Sequence, residues 1–117
     1  MLQTATILIA ITALGGLLMA IIRFGSRRNP PAWLAMLHGL LAASGLTLLV
    51  YAICTAPTPP MAILALALFL LAAVGGAVMS LAYKWRQRLL PTWLVLAHAT
   101  AAVAGFALLF LSAFGRG

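Results

Sequence analysis

PAWLAMLHGLLAASG, residues 31–45, and PTWLVLAHATAAVAG, residues 91–105, decide how this chain folds. Laid over each other at an offset of sixty, they align Pro31, Trp33, Leu34, His38, Ala42 and Gly45 with Pro91, Trp93, Leu94, His98, Ala102 and Gly105. The register continues upstream, where Ala13, Gly15, Gly16, Met19 and Arg28 meet Ala73, Gly75, Gly76, Met79 and Arg88. A self-match at one fixed period marks a duplicated structural unit. The residues shared by both copies are a histidine, glycines and a helix-entry tryptophan, while the lipid-type residues between them drift among Ala, Leu, Val and Ile. That division points to a site shared between the copies.

Composition fixes the solvent. Of 117 residues 66% are hydrophobic, Asp and Glu are absent, and the seven Lys and Arg give a net charge of +7. A soluble domain of this size could not keep such a surface hydrated. Residues 2–22, 31–54, 61–83 and 91–114 are each long enough, at about 1.5 Å per residue, to cross a hydrocarbon core of about 30 Å. The expectation is an all-α membrane protein with four spans forming a single membrane domain over residues 1–117. The first span reads as a retained helix, because no basic residue precedes it and its apolar run exceeds a signal-peptide core of roughly 7–15 residues.

A high isoelectric point often signals nucleic acid, but membrane insertion accounts for these charges. Arg23, Arg27 and Arg28 follow the first span, Lys84, Arg86 and Arg88 follow the third, and only Arg116 lies on the other side. By the positive-inside rule the two basic connections are cytoplasmic. Both termini and the Thr55–Pro60 turn then face outward, to the periplasm if the membrane is a bacterial inner membrane.

Short connections make sequential helices neighbours, so the expected bundle runs up-down-up-down with the second and fourth helices diagonal. Its repeats are residues 1–57 and 61–117. Each contains two spans, so both enter the membrane in the same sense, related by a pseudo-two-fold axis along the membrane normal. Pro31 and Pro91 are expected at the first position of their helices.

His38 and His98 are each seven residues beyond the proline, about 10 Å into the span. A histidine in an apolar span needs a partner and usually faces a bundle interior. His38, Ala42 and Gly45 share one helix face, as do His98, Ala102 and Gly105. Gly15 and Gly16, with Gly75 and Gly76, reach the same depth on the other two helices. Glycine admits a second backbone or a flat rigid ligand, although small residues also serve ordinary membrane helix packing.

A haem matches these parts: two imidazoles for the iron, small-residue faces for the macrocycle, and donors for its propionates at the basic rim. Candidate donors are Arg28, Arg88, Trp33 and Trp93, the tryptophans reading first as interfacial anchors. With no C-x-x-C-H sequence, such a haem b would be noncovalent. The competing readings are histidines bonded to the carbonyls of Leu34 and Leu94 one turn back, histidines bonded to each other, a soft Cu(I) site with Met19 and Met79, and a small metal or proton transporter.

Two histidines on separate spans of a four-helix bundle, with glycines at their level, resemble the small integral-membrane b-type cytochromes, including the haem-bearing anchor subunits of respiratory enzymes and the cytochrome b561 type. The resemblance rests on His38, His98 and the glycines. It implies one bis-histidine haem near the cytoplasmic leaflet and an electron relay, with the lipid bilayer, a quinone and redox partner subunits or a second copy of the chain as partners. A single histidine pair is too few for a ladder of haems across the membrane. A subunit or electron-transfer protein is therefore expected over a self-sufficient enzyme, with a non-haem structural subunit as the alternative.

Overall fold

The computed structural model describes residues 1–115 and consists of four helices, with no strand among the described residues. Helix α1 spans Leu2–Ser26, α2 Ala32–Thr55, α3 Pro60–Val78 and α4 Thr92–Phe114; α3 runs directly into a π-helical segment, Met79–Lys84. Each of the four is long and apolar enough to cross a membrane. Arg116, the basic residue expected on the far side, lies outside the described residues.

The helix ends follow from local chemistry. α2 and α4 begin one residue later than expected, because Pro31 (φ −63°, ψ 149°) and Pro91 (φ −69°, ψ 139°) are extended and sit just outside the helix. From there the Pro31 carbonyl accepts from the N–H groups of Leu34 and Ala35, both at 3.2 Å, and Pro91 does the same for Leu94 and Val95. The bonds of Leu34 and Leu94 satisfy donors that a helix start otherwise leaves orphaned. Pro60 does occupy a first helical position, where its missing N–H costs nothing. On the basic side the chain reverses through Arg27 (φ 55°) and Gln87 (φ 59°), both left-handed and sixty residues apart.

α1 packs along α2 and α4, α3 along α4, and the contact between α2 and α3 is lighter. In lipid no hydrophobic force draws helices together, so close packing of small residues must do so. Ala5, Ala62 and Ala65 are fully buried, and the core cluster consists of Ala5, Ile9 and Leu49 together with Ala65, Phe69 and Leu109. Each member of the first trio has its counterpart sixty positions on. Ile9 fills the notch at Gly45, where an added Cβ would lie 2.6 Å from its Cδ1, and Phe69 fills that at Gly105, 3.0 Å from its Cε1.

The hydroxyls of Thr6, Thr12, Ser44, Thr47, Thr100 and Ser112 each donate to the carbonyl four residues earlier. Their polarity is thereby satisfied within their own helix. Large apolar side chains such as Leu14, Met36, Leu71 and Leu111 face outward on all four helices, as a lipid-facing surface requires.

Candidate functional site: two imidazoles on one cavity

His38 on α2 and His98 on α4 are half-buried, with ring centroids 6.2 Å apart and ring planes inclined by 63°. Each is held through Nδ1. His38 Nδ1 donates to the Thr12 carbonyl at 2.9 Å, and His98 Nδ1 to the Ala72 carbonyl at 2.7 Å. Thr12 and Ala72 are themselves sixty residues apart, so one bond recurs at equivalent positions. It crosses to the neighbouring helix and does not run back along its own to Leu34 or Leu94.

The glycine pairs explain why the crossing is possible. Side chains on a helix lean toward its N-terminus, so residues three and four positions on cover a given carbonyl. For Thr12 those positions are Gly15 and Gly16; for Ala72 they are Gly75 and Gly76. With no side chain there, each carbonyl keeps its helical partner and still admits an imidazole. A Cβ added at Gly16 would come within 3.0 Å of His38 Cε1, and one at Gly76 within 3.4 Å of His98 Cε1. A Cβ added at Gly15 or Gly75 would stand a little farther off, 3.9 Å from His38 Nδ1 and 3.7 Å from His98 Nδ1. The four glycines seat the imidazoles themselves.

Nδ1 commitment fixes the tautomer, since a carbonyl only accepts. In the neutral imidazole Nε2 is then the lone-pair nitrogen, and no hydrogen bond to it occurs among the described residues. Both rings border a cavity of about 300 Å³ on the basic side, shared with Gly16, Gly76, Met19, Met79 and Arg23. A smaller cavity of about 120 Å³, away from the basic loops, is lined by His98, Ala42, Ala102, Ile9 and Phe69. Among the described residues no three His, Cys, Asp or Glu side chains cluster, so an ion held here would draw the rest of its coordination sphere from elsewhere.

The other expected ligand contacts are placed differently. Gly45 and Gly105 are buried under Ile9 and Phe69, which makes them helix-packing positions. Trp33 and Trp93, 65% and 67% exposed, stand on the outer surface and line neither cavity. Arg28 borders a separate pocket in the connecting segments, and the Arg88 guanidinium lies 6.0 Å from the Tyr83 ring.

The cation that does reach the histidine cavity is Arg23, only 9% exposed. Its Nε and one terminal nitrogen donate to the Leu90 carbonyl at 2.9 and 2.7 Å, tying the end of α1 to the segment before α4. In sequence Arg23 reads as one more positive-inside charge. Two signals set it apart: it lies seven residues beyond Gly16, on the same face, and its counterpart sixty residues on is Tyr83.

The chain matches no family model, and no curated protein and no solved structure matches it.

Proposed function

We propose that this chain is a membrane b-type cytochrome that holds one noncovalent haem b between α2 and α4, with His38 and His98 as axial ligands. The observation that carries the reading is the pair of equivalent Nδ1 bonds, which leave two Nε2 atoms free on rings 6.2 Å apart beside one cavity. Rings with centroids 6.2 Å apart would be close enough to hold one iron between them. Histidine ligands characteristically donate their other ring N–H to a carbonyl or carboxylate, which orients the ring and raises its basicity. Two imidazoles without a third protein donor also suit a ligand that brings four nitrogens of its own.

The haem would supply one-electron oxidation and reduction. The residues of the chain bind and orient. The glycine pairs seat the imidazoles, Ala42 and Ala102 keep the far side narrow and apolar, and Arg23 offers the cavity a cation for an anionic edge. With both axial positions filled by strong ligands, electron relay is the work left to the site. No carboxylate side chain is present to exchange protons with a quinol, so the relay would join the quinone pool through histidine, backbone, water or a partner subunit.

In this reading residues 1–57 and 61–117 are tandem copies about an axis along the membrane normal, and the helices run up-down-up-down. The two basic connections face the cytoplasm, and both termini face the periplasm of a bacterial inner membrane. A second reading, a non-haem structural subunit, draws on the same Nδ1 bonds, since each staples one helix to the preceding one. Haem content separates the two. Protein purified after expression with ample haem should give one haem b per chain in a pyridine haemochrome assay; colourless, folded protein would leave the staple as the only role.

A further inference from the structure

Without an Asp or Glu side chain in the sequence, a cation taken out of water among the described residues finds hydrogen-bond acceptors in carbonyl, amide and hydroxyl oxygens. Two basic side chains bury their charged ends, and they fare differently. Arg23 finds the Leu90 carbonyl twice over. Lys84 does not: its Nζ is buried with no hydrogen-bond partner among the described residues. An ammonium carries three donors, and leaving them unmet away from water is expensive. An oxygen-rich ligand reaching this ammonium would meet donors that no described residue meets.

Lys84 lines a cavity of about 390 Å³ with Arg28, Asn29, Gln87 and Leu89. The walls are tied together. Asn29 Nδ2 donates to the Arg88 carbonyl at 2.7 Å, and the Leu90 N–H donates to Asn29 Oδ1 at 3.0 Å. Asn29 thus locks the segment after α1 to the segment before α4. The backbone on the other wall is shaped by the π-helical turn, in which Trp85 N–H bonds the Ser80 carbonyl, and by the left-handed Gln87. Arg28 and Lys84 supply two charges of one sign, Gln87 adds an amide, and the pocket sits at the end of the apolar spans, where lipid headgroups lie.

We propose that this pocket binds a phosphate group, presented by an anionic phospholipid of the leaflet at the basic end. A phosphate diester offers a charge and several acceptor oxygens to a guanidinium fork and an ammonium together, and basic pockets between transmembrane helices are suited to lipid headgroups. The proposal is independent of the haem, since no residue of this pocket borders the histidine cavity.

The test is retention of phosphatidylglycerol, read by native mass spectrometry on full-length chain extracted from mixed phosphatidylcholine and phosphatidylglycerol bilayers. Wild-type protein should keep one phosphatidylglycerol. Lys84→Gln and Arg28→Gln should each cut that fraction about tenfold, the loss of one charge-assisted hydrogen bond. Arg86→Gln, which removes the same charge from an exposed position outside the pocket, should leave it within about twofold, as befits a screened surface charge. Added inorganic phosphate, applied to the wild-type protein, identifies the source: failure to displace the lipid assigns the pocket to a headgroup, and displacement of the lipid by phosphate assigns it to free phosphate, both upholding the phosphate chemistry. If Lys84→Gln loses its helical circular dichroism, Arg28→Gln, at an exposed residue, carries the comparison. Equal retention in wild type and Arg28→Gln, or equal loss in Arg86→Gln, would overturn the site.

Discussion

The seats of His38 and His98 are built from the same parts. A carbonyl at Thr12 or Ala72, two glycines three and four positions on, and a histidine twenty-six residues away recur at matching positions. The notch-filling pairs, Ile9 with Gly45 and Phe69 with Gly105, recur as well. At the basic end the two halves part. Arg23 stands where the second half has Tyr83, and the turn Met79–Lys84 is π-helical where the corresponding residues of α1 remain α-helical. The matched layer has what a symmetric pair of ligands needs. The unmatched layer gives the cavity one charged side, at Arg23, which would orient the proposed ligand by its anionic edge.

The comparison breaks most visibly at the histidines. His38→Ala and His98→Ala should each convert a low-spin, six-coordinate absorption spectrum to a five-coordinate or haem-free one, and the double variant should bind no haem. Closely similar losses are expected from the two, because their seats are equivalent. A variant that keeps the wild-type spectrum and full haem content would remove its histidine from the ligand set.

The glycine seat comes next. Gly16→Leu should lower haem content severalfold, in line with about 1–3 kcal/mol of overpacking, because even a Cβ there meets the imidazole at 3.0 Å. Gly76→Leu should do the same less severely, its imidazole lying at 3.4 Å. Gly25→Leu is the control, with nothing within 4 Å of its added Cβ. Equal haem content in all three would reduce the glycines to packing.

Arg23 sharpens the contrast between the halves. Arg23→Gln removes a charged, bidentate donor from a buried carbonyl and should cost about 1.5–3 kcal/mol of stability, read as a lower unfolding midpoint in detergent. Tyr83→Phe, at the equivalent position, should cost less than about 1 kcal/mol, as no hydrogen bond of its hydroxyl occurs among the described residues. The smallest energetic effect is expected for topology markers: in a background with Cys54 replaced by Ala, a cysteine introduced at Thr58 should react with an impermeant reagent from outside, and one at Ser26 should not. Reversed labelling would invert the proposed orientation while leaving the site intact.

Much of this molecule is legible before it is folded. Continuous apolar runs give the four spans, and two histidines at one offset in apolar helices identify the site level. What the sequence hides depends on tertiary register. Nothing near His38 names Thr12 as its partner, because the bond crosses between helices, and the meaning of Gly15 and Gly16 follows only from that carbonyl. Gly45 and Gly105 share the histidine face in projection, yet small residues admit a neighbouring side chain as readily as a ligand, and here Ile9 and Phe69 fill them. Arg23 is concealed by a second sufficient explanation, the positive-inside rule. The π-helical turn differs from an α-helix by one residue per hydrogen-bonded ring, and no residue type in Met79–Lys84 announces it.

The central claim is that one iron is shared by an imidazole from each half. The electron paramagnetic resonance spectrum of the oxidised, haem-loaded wild-type protein tests it most directly. A low-spin ferric signal of bis-imidazole type, integrating to one per chain, is expected. A high-spin ferric signal at full haem loading would show that at least one axial position is not held by a strong-field ligand, and would contradict the shared site.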